Sequence, residues 1–161
     1  MAEYRMGSAF NEPRVAMRRP QPVSLIRETM NPANVPAFYA VAFPELAAWL
    51  NEHRIAVSGP PLTLSHVASP QLVEAAVAYP VAQVVPTSRR ITNGTLPGGP
   101  IASMTVSGSH ALLPEGFQRL RAWLGENGYA PGLITWTNLV RPPDPTGDQS
   151  ACITEICWPI A

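Results

Sequence analysis

Charge is scarce in this sequence. Asp, Glu, Lys and Arg make up 14% of its 161 residues, against roughly 25% in ordinary soluble domains. Much of the surface must therefore be neutral, which leaves room for an apolar cleft. The few charges also cancel, eleven basic against eleven acidic. A protein held on phosphates carries a basic excess, so direct nucleic-acid binding is not expected, and no helix-turn-helix pattern is present. Cysteine is equally sparse. Cys152 and Cys157 lie five apart in what reads as one strand, an odd separation that puts them on opposite faces and keeps them from bonding to each other. No apolar run approaches the roughly 18 residues of a membrane-crossing helix, and no charged-then-apolar leader opens the chain. These absences predict a reduced, cytoplasmic protein with no membrane partner.

Familiar chemistry is missing too. There is no Gly-x-Ser-x-Gly elbow, no Gly-x-Gly-x-x-Gly and no phosphate loop ending in Gly-Lys-Ser/Thr. The histidines, His53, His66 and His110, lack metal-ligand spacing, so no metal and no cofactor is expected. Asn93-Gly94-Thr95 fits a glycosylation sequon but reads better as an Asn-Gly turn.

What the chain does have is apolar content of 46% and nineteen prolines, which favour short strands and loops and confine helices to a few windows. One helix is predicted from about Pro36 to Arg54, with Phe38, Ala42, Leu46, Trp49 and Leu50 on its face. Pro44 interrupts it, so either the first turn is irregular or the helix starts near Phe43. A second runs from about Pro114 to Asn127, with Phe117, Leu120, Trp123 and Leu124, and Gly128 supplies its stop.

The two windows belong to a repeat. Ala48-Trp49-Leu50 matches Ala122-Trp123-Leu124. Strand-like runs precede the helices (Pro22 to Met30, Ile101 to His110) and follow them (Leu62 to Val67, Leu133 to Val140). A third run closes each half at Tyr79-Pro80-Val81 or Trp158-Pro159-Ile160. Tryptophan and closing proline are 31 residues apart in the first half and 36 in the second, the difference lying in the Pro/Asp/Gly-rich loop at 142–150. The expected fold is α+β: a strand-helix-strand-strand unit duplicated about a pseudo-twofold axis, with an antiparallel sheet, two main helices and a central cleft. One domain spans 1–161, with half one at about 14–82, a linker at about 83–100 and half two at about 101–161. A half alone buries too little apolar surface, and the groove between two halves is a natural ligand site.

In their order these segments resemble the GyrI-like small-molecule-binding family, whose module also serves as the effector-binding part of multidrug-sensing transcription regulators. The resemblance rests on Arg19-Pro20-Gln21-Pro22-Val23, Phe43-Pro44-Glu45-Leu46-Ala47 and Gly59-Pro60-Pro61-Leu62 in the first half. In the second it rests on Leu96-Pro97-Gly98-Gly99, Gly108, Trp123-Leu124, Thr154-Glu155-Ile156 and Pro159-Ile160. It implies a stand-alone binder of an apolar small molecule, acting in sensing or sequestration. Some relatives hydrolyse cyclopropane-containing natural products, and one inhibits gyrase by binding it; no protein partner is evident in this sequence. The chain departs from the family where ligands are met. Trp136-Thr137-Asn138-Leu139 stands where many members have Trp-Glu-x-Tyr, Ser65 where a tyrosine is common, and Ser109-His110 where Pro-Tyr is frequent. A pocket without that acid and those tyrosines should not favour lipophilic cations.

Strand alternation gives a candidate lining. Thr135, Thr137 and Leu139 would face inward, with Trp136 under the helices. Ile153, Glu155 and Cys157 would share a face on the last strand, and Thr63, Ser65, Ala76 and Ala78 would match them in the first half. A slip of one residue would exchange the faces. Glu155 is the one acid of this set. Desolvation in an apolar cleft would raise its pKa and suit it to act as a general base, with His110 nearby, if the protein is an enzyme. The other readings are an anchor for a ligand amine and a rim glutamate paired with an arginine.

Overall fold

In the computed structural model, which describes residues 8–161, both helices and all six repeat strands form where the repeat places them. The elements are β1 (Arg14–Arg18), β2 (Gln21–Met30), α1 (Val35–Glu52), β3 (Leu62–Val67), β4 (Val73–Pro80), β5 (Ile91–Leu96), β6 (Gly99–Ser107), α2 (Leu113–Glu126), β7 (Thr135–Arg141) and β8 (Ile153–Pro159). Short 3-10 turns at Pro32–Asn34 and His110–Leu112 lead into the helices, capped by the side chains of Asn31 and Ser109. The strands form one curled antiparallel sheet in the order β1-β6-β8-β7-β3-β4-β2-β5. Read outward from its centre, β3-β4-β2-β5 repeats as β7-β8-β6-β1. The fold is the expected α+β duplication.

The outer strands were not expected. The segment 83–100, read as a linker with an Asn-Gly turn, contains β5, which pairs along β2 from Gln21↔Leu96 to Ile26↔Ile91. Gly94 lies opposite Val23, and a Cβ there would come 2.7 Å from Leu25 Cδ2. The glycine permits close packing across strands, not a turn. β1 likewise pairs with β6. Each outer strand leads directly into the first long strand of its own half but pairs in the other half. The two connections cross at Pro20 and Gly98, which occupy equivalent places in the repeat. The prolines and glycines there suggested only local turns.

Pro44 does not interrupt α1, which runs unbroken from Val35 to Glu52. Proline deprives the Ala40 carbonyl of its helical donor, but both residues are exposed, so water can serve instead. The buried stripe Phe38, Ala42, Leu46, Leu50 repeats in α2 as Gly116, Leu120, Leu124, the four-residue spacing of a helix facing a sheet. α1 packs on Ile26, Ala75 and Val77; α2 packs on Ala102, Met104, Val106 and Ile156.

The helix ends differ in a telling way. After α2, Gly128 adopts φ +74°, and Tyr129 N–H donates to the Leu124 carbonyl at 2.9 Å. After α1 the equivalent residue is Arg54, at φ +57°, where a side chain crowds the backbone. Arg54→Gly should stabilise the fold by about 1 kcal/mol. A rise of roughly 2–4 °C in the thermal midpoint is expected, checked by circular dichroism.

Candidate functional site

The middle of the sheet is where the halves meet. Counting 74 residues onward from the first half gives the second: Ala42 becomes Gly116, Phe43 becomes Phe117, Trp49 becomes Trp123 and Thr63 becomes Thr137. Thr63 and Thr137 lie directly opposite in the β3–β7 pair, and their hydroxyls are hydrogen-bonded at 2.5 Å. The pseudo-twofold axis passes between them. On the helix face a groove opens over this pair, with a cavity of about 170 Å³. Its walls are Tyr39 from α1, Leu113 and Phe117 from α2, and Ser65 and Thr135 beside the threonine pair.

No charged residue is among those lining the groove. Thr137 is 6% exposed and stands where the resemblance places the family glutamate. Burial raises the Tyr39 phenol above its ordinary pKa, with a hydrogen bond to Thr63 opposing it. At neutral pH the site offers neutral hydroxyls on an apolar, aromatic wall. For scale, a dry cavity of about 150 Å³ holds a benzene ring, so this one suits a ligand of single-ring size. A larger ligand needs the side chains of Tyr39 and Phe117 to swing aside.

The predicted lining divides between two faces. Thr63, Ser65, Thr135 and Thr137 are in the groove. Leu139 is on the same strand, half-buried, just before a bulge between Leu139 and Arg141, and does not line the cavity. Ala76, Ala78, Ile153, Glu155 and Cys157 belong to the opposite, helix-free face. The cross-strand register is the reason. Thr63 pairs with Val77 and Thr137 with Ile156, so the neighbours of Val77 and Ile156 in β4 and β8 point away from the helices. Alternation within each strand was right, but β4 and β8 were set one residue out against β3 and β7. Trp136 is corrected for the same reason. It packs not under the helices but with Val23, Leu25, Leu62, Ala78 and Cys157 on the helix-free face.

Of the three readings offered for Glu155, the structure shows the pairing with an arginine, and the raised pKa of the general-base reading is corrected. Burial pushes its pKa up, but hydrogen bonds from Arg18 and Asn138 outweigh this and hold it below the ordinary value. Arg18 Nη2 donates to Oε2 at 2.9 Å and Asn138 Nδ2 to Oε1 at 2.9 Å. A carboxylate so engaged is a poor proton acceptor. His110 is no partner for it. It sits in the turn leading into α2, across the sheet, with its backbone N–H on Gln149 Oε1 at 2.9 Å and its Nε2 buried without a partner. Desolvation lowers its pKa, so its ring is neutral at pH 7. Burial holds the Cys157 thiol up at about 12, which makes it unreactive. No group of three metal-ligating side chains occurs among the described residues, and no described helix is long and apolar enough to cross a membrane.

Reading the sequence alone missed Tyr39, Leu113 and Phe117. The signal was available for Phe117, since Phe43 and Phe117 precede their Ala-Trp-Leu triplets by equal distances. It was weaker for the other two, because Tyr39 and Leu113 are equivalent positions of different character.

The family model described as GyrI-like small molecule binding domain matches residues 11–161. No curated protein sequence matches significantly. Among solved structures, the EcmrR–DNA complex superposes with a TM-score of 0.79 at 13% identity, covering 98% of this chain and 60% of that one. The chain thus spans about three-fifths of that protein's length. SAV2435 bound to tetraphenylphosphonium gives 0.69 at 12% identity, with 94% of each chain covered. A hydrolase from Listeria innocua gives 0.68 at 10% identity, covering 99% of this chain and 97% of its own.

Proposed function

The chain belongs to the GyrI-like small-molecule-binding family, and from that premise we propose that it binds a neutral, apolar small molecule in the groove between α1 and α2. The observation that carries this reading is the uncharged lining over the Thr63–Thr137 pair. SAV2435, of the same fold, is bound to tetraphenylphosphonium, a lipophilic cation. This groove has nothing of opposite charge to offer such a ligand, so desolvating a cation here is uncompensated. Binding without turnover fits a sensing or sequestering role. Hydrolysis by Glu155 with His110 draws no support from the geometry, because the sheet separates the two and Glu155 is held low.

The test is a matched pair of probes, tert-butylbenzene and phenyltrimethylammonium, which share shape and differ in charge. The neutral probe should raise the thermal midpoint and be recovered unchanged by mass spectrometry, while the cation has little effect. Equal stabilisation by both would remove the case for a neutral ligand, and a hydrated product would replace binding with catalysis.

A further inference from the structure

We propose that the helix-free face holds a second ligand site, built around Arg18 and distinct from the groove, that takes a small apolar carboxylate. A cavity of about 410 Å³ opens there, within the size range of small-molecule sites. Its apolar walls include Leu62, Leu96, Pro97 and Val140. Its charged residues are Arg18, Arg19 and Glu155, an excess of one positive charge.

The repeat makes this site conspicuous. Strand registers map Arg18, Asn138 and Glu155 of its lining, and the adjoining Ser103, onto apolar residues in the first half. Trp136↔Cys157 and Asn138↔Glu155 correspond to Leu62↔Ala78 and Leu64↔Ala76. Ser103↔Cys157 corresponds to Leu25↔Ala78, and Gly99↔Arg18 to Gln21↔Leu96. Arg18, Asn138, Glu155 and Ser103 therefore stand where the first half has Leu96, Leu64, Ala76 and Leu25. There those apolar residues form part of the wall of a smaller cavity of about 200 Å³, whose rim also carries Arg27, His66 and Glu74. The fold itself evidently accepts an apolar interior at these places. Partly buried ion pairs gain little net stability over apolar side chains, so packing does not account for the network.

Its geometry is that of a receptor. Glu155 spends both oxygens on Arg18 and Asn138, and Arg18 Nη1 serves Glu155 and Cys157. Among the described residues nothing else accepts from Arg18, so the edge formed by Nε and the second hydrogen of Nη2 is free. That edge matches a carboxylate in two parallel hydrogen bonds. The ion pair holds the guanidinium still, Arg19 adds positive potential, and the neighbouring apolar wall takes the body of the acid.

Calorimetric titration of the wild-type protein with naphthalene-2-carboxylate, against naphthalene-2-carboxamide as the uncharged control, tests this. The acid should bind at least tenfold more tightly than the amide. Saturating tert-butylbenzene should not displace it. In R18L/E155A, which copies Leu96 and Ala76 from the first half, the chain should remain folded by circular dichroism and the acid should lose its advantage. Should that variant fail to fold, Arg18→Lys, which keeps the charge but not the paired donors, should reduce the preference severalfold. Equal binding of acid and amide to the wild type, an undiminished preference in a folded variant, or displacement by tert-butylbenzene would each overturn the proposal. The comparison of acid with amide and the behaviour of the variants do not depend on whether the groove binds a neutral ligand; only the competition with tert-butylbenzene rests on that reading.

Discussion

Thr137→Glu should reverse the charge preference of the groove, so that phenyltrimethylammonium binds at least tenfold better than tert-butylbenzene. The site is buried, at the centre of the β3–β7 pair. A carboxylate about 4 Å from a cation there gains roughly 4 kcal/mol in a medium of intermediate polarity. Part of that is lost in desolvating the acid; a tenfold preference for the cation takes about 1.4 kcal/mol beyond what is needed to cancel the wild-type preference for the neutral probe. The same desolvation raises the pKa of the new carboxyl. The cation should therefore be held at neutral or higher pH and released as pH falls through that raised value, when the acid becomes neutral. Thr137→Gln, without charge, should show neither the gain nor the pH dependence. If the buried glutamate prevents folding, Ser65→Glu places the acid at an exposed part of the same lining. Isothermal titration at two pH values reads both effects. Failure of a folded acidic variant to gain the cation would mean that the groove is not where such ligands bind.

Gly98→Ala should be the most damaging glycine-to-alanine substitution among the described residues. The crossing of the two connections brings Gly98 against Pro20, and an added Cβ would lie 2.6 Å from Pro20 Cδ and 2.7 Å from its backbone nitrogen. At Gly116 the contacts of an added Cβ are also short, but with side-chain atoms of Val106 and Ile156, which have some freedom to move. At Gly98 a ring and a backbone atom must yield, and with them the corners that carry β1 and β5 across the sheet. Overpacking of this kind costs roughly 1–3 kcal/mol. Urea denaturation should show a lower midpoint with an unchanged slope; an unaffected midpoint would mean that the crossing has slack.

The repeat was legible because apolar spacing and matched triplets survive in the chain as one-dimensional patterns. That was enough for both helices and for the six strands of the duplicated unit. β1 and β5 were not legible because Arg14–Arg18 and Ile91–Leu96 are short, show no sustained apolar alternation, and have their partners in the other half. Nothing local marks such a pairing. The site was half legible for a related reason. Alternation tells which residues of one strand share a face, which placed Thr63 with Ser65 and Thr135 with Thr137 correctly. It does not say how β4 meets β3, and one residue of offset carried Ala76, Ala78, Glu155 and Cys157 to the far side. The arginine allowed for as a partner of Glu155 could not be identified as Arg18, which read as a solvated side chain because the strand that carries it had not been seen.

The exchange of outer strands gives vectorial synthesis an uneven task. Every partner in the first half, from β2 to β5, has been made once Leu96 leaves the ribosome. β1 has been made long before, yet its partner residues run from Gly99 to Ser103. The nascent chain thus carries its first strand unpaired while the whole first half emerges. Loop closure over that span is slow to be rewarded, and an unpaired strand is open to pairing with another chain. The arginines at both ends of β1, Arg14 and Arg18, are the kind of edge charge that discourages such pairing during the wait.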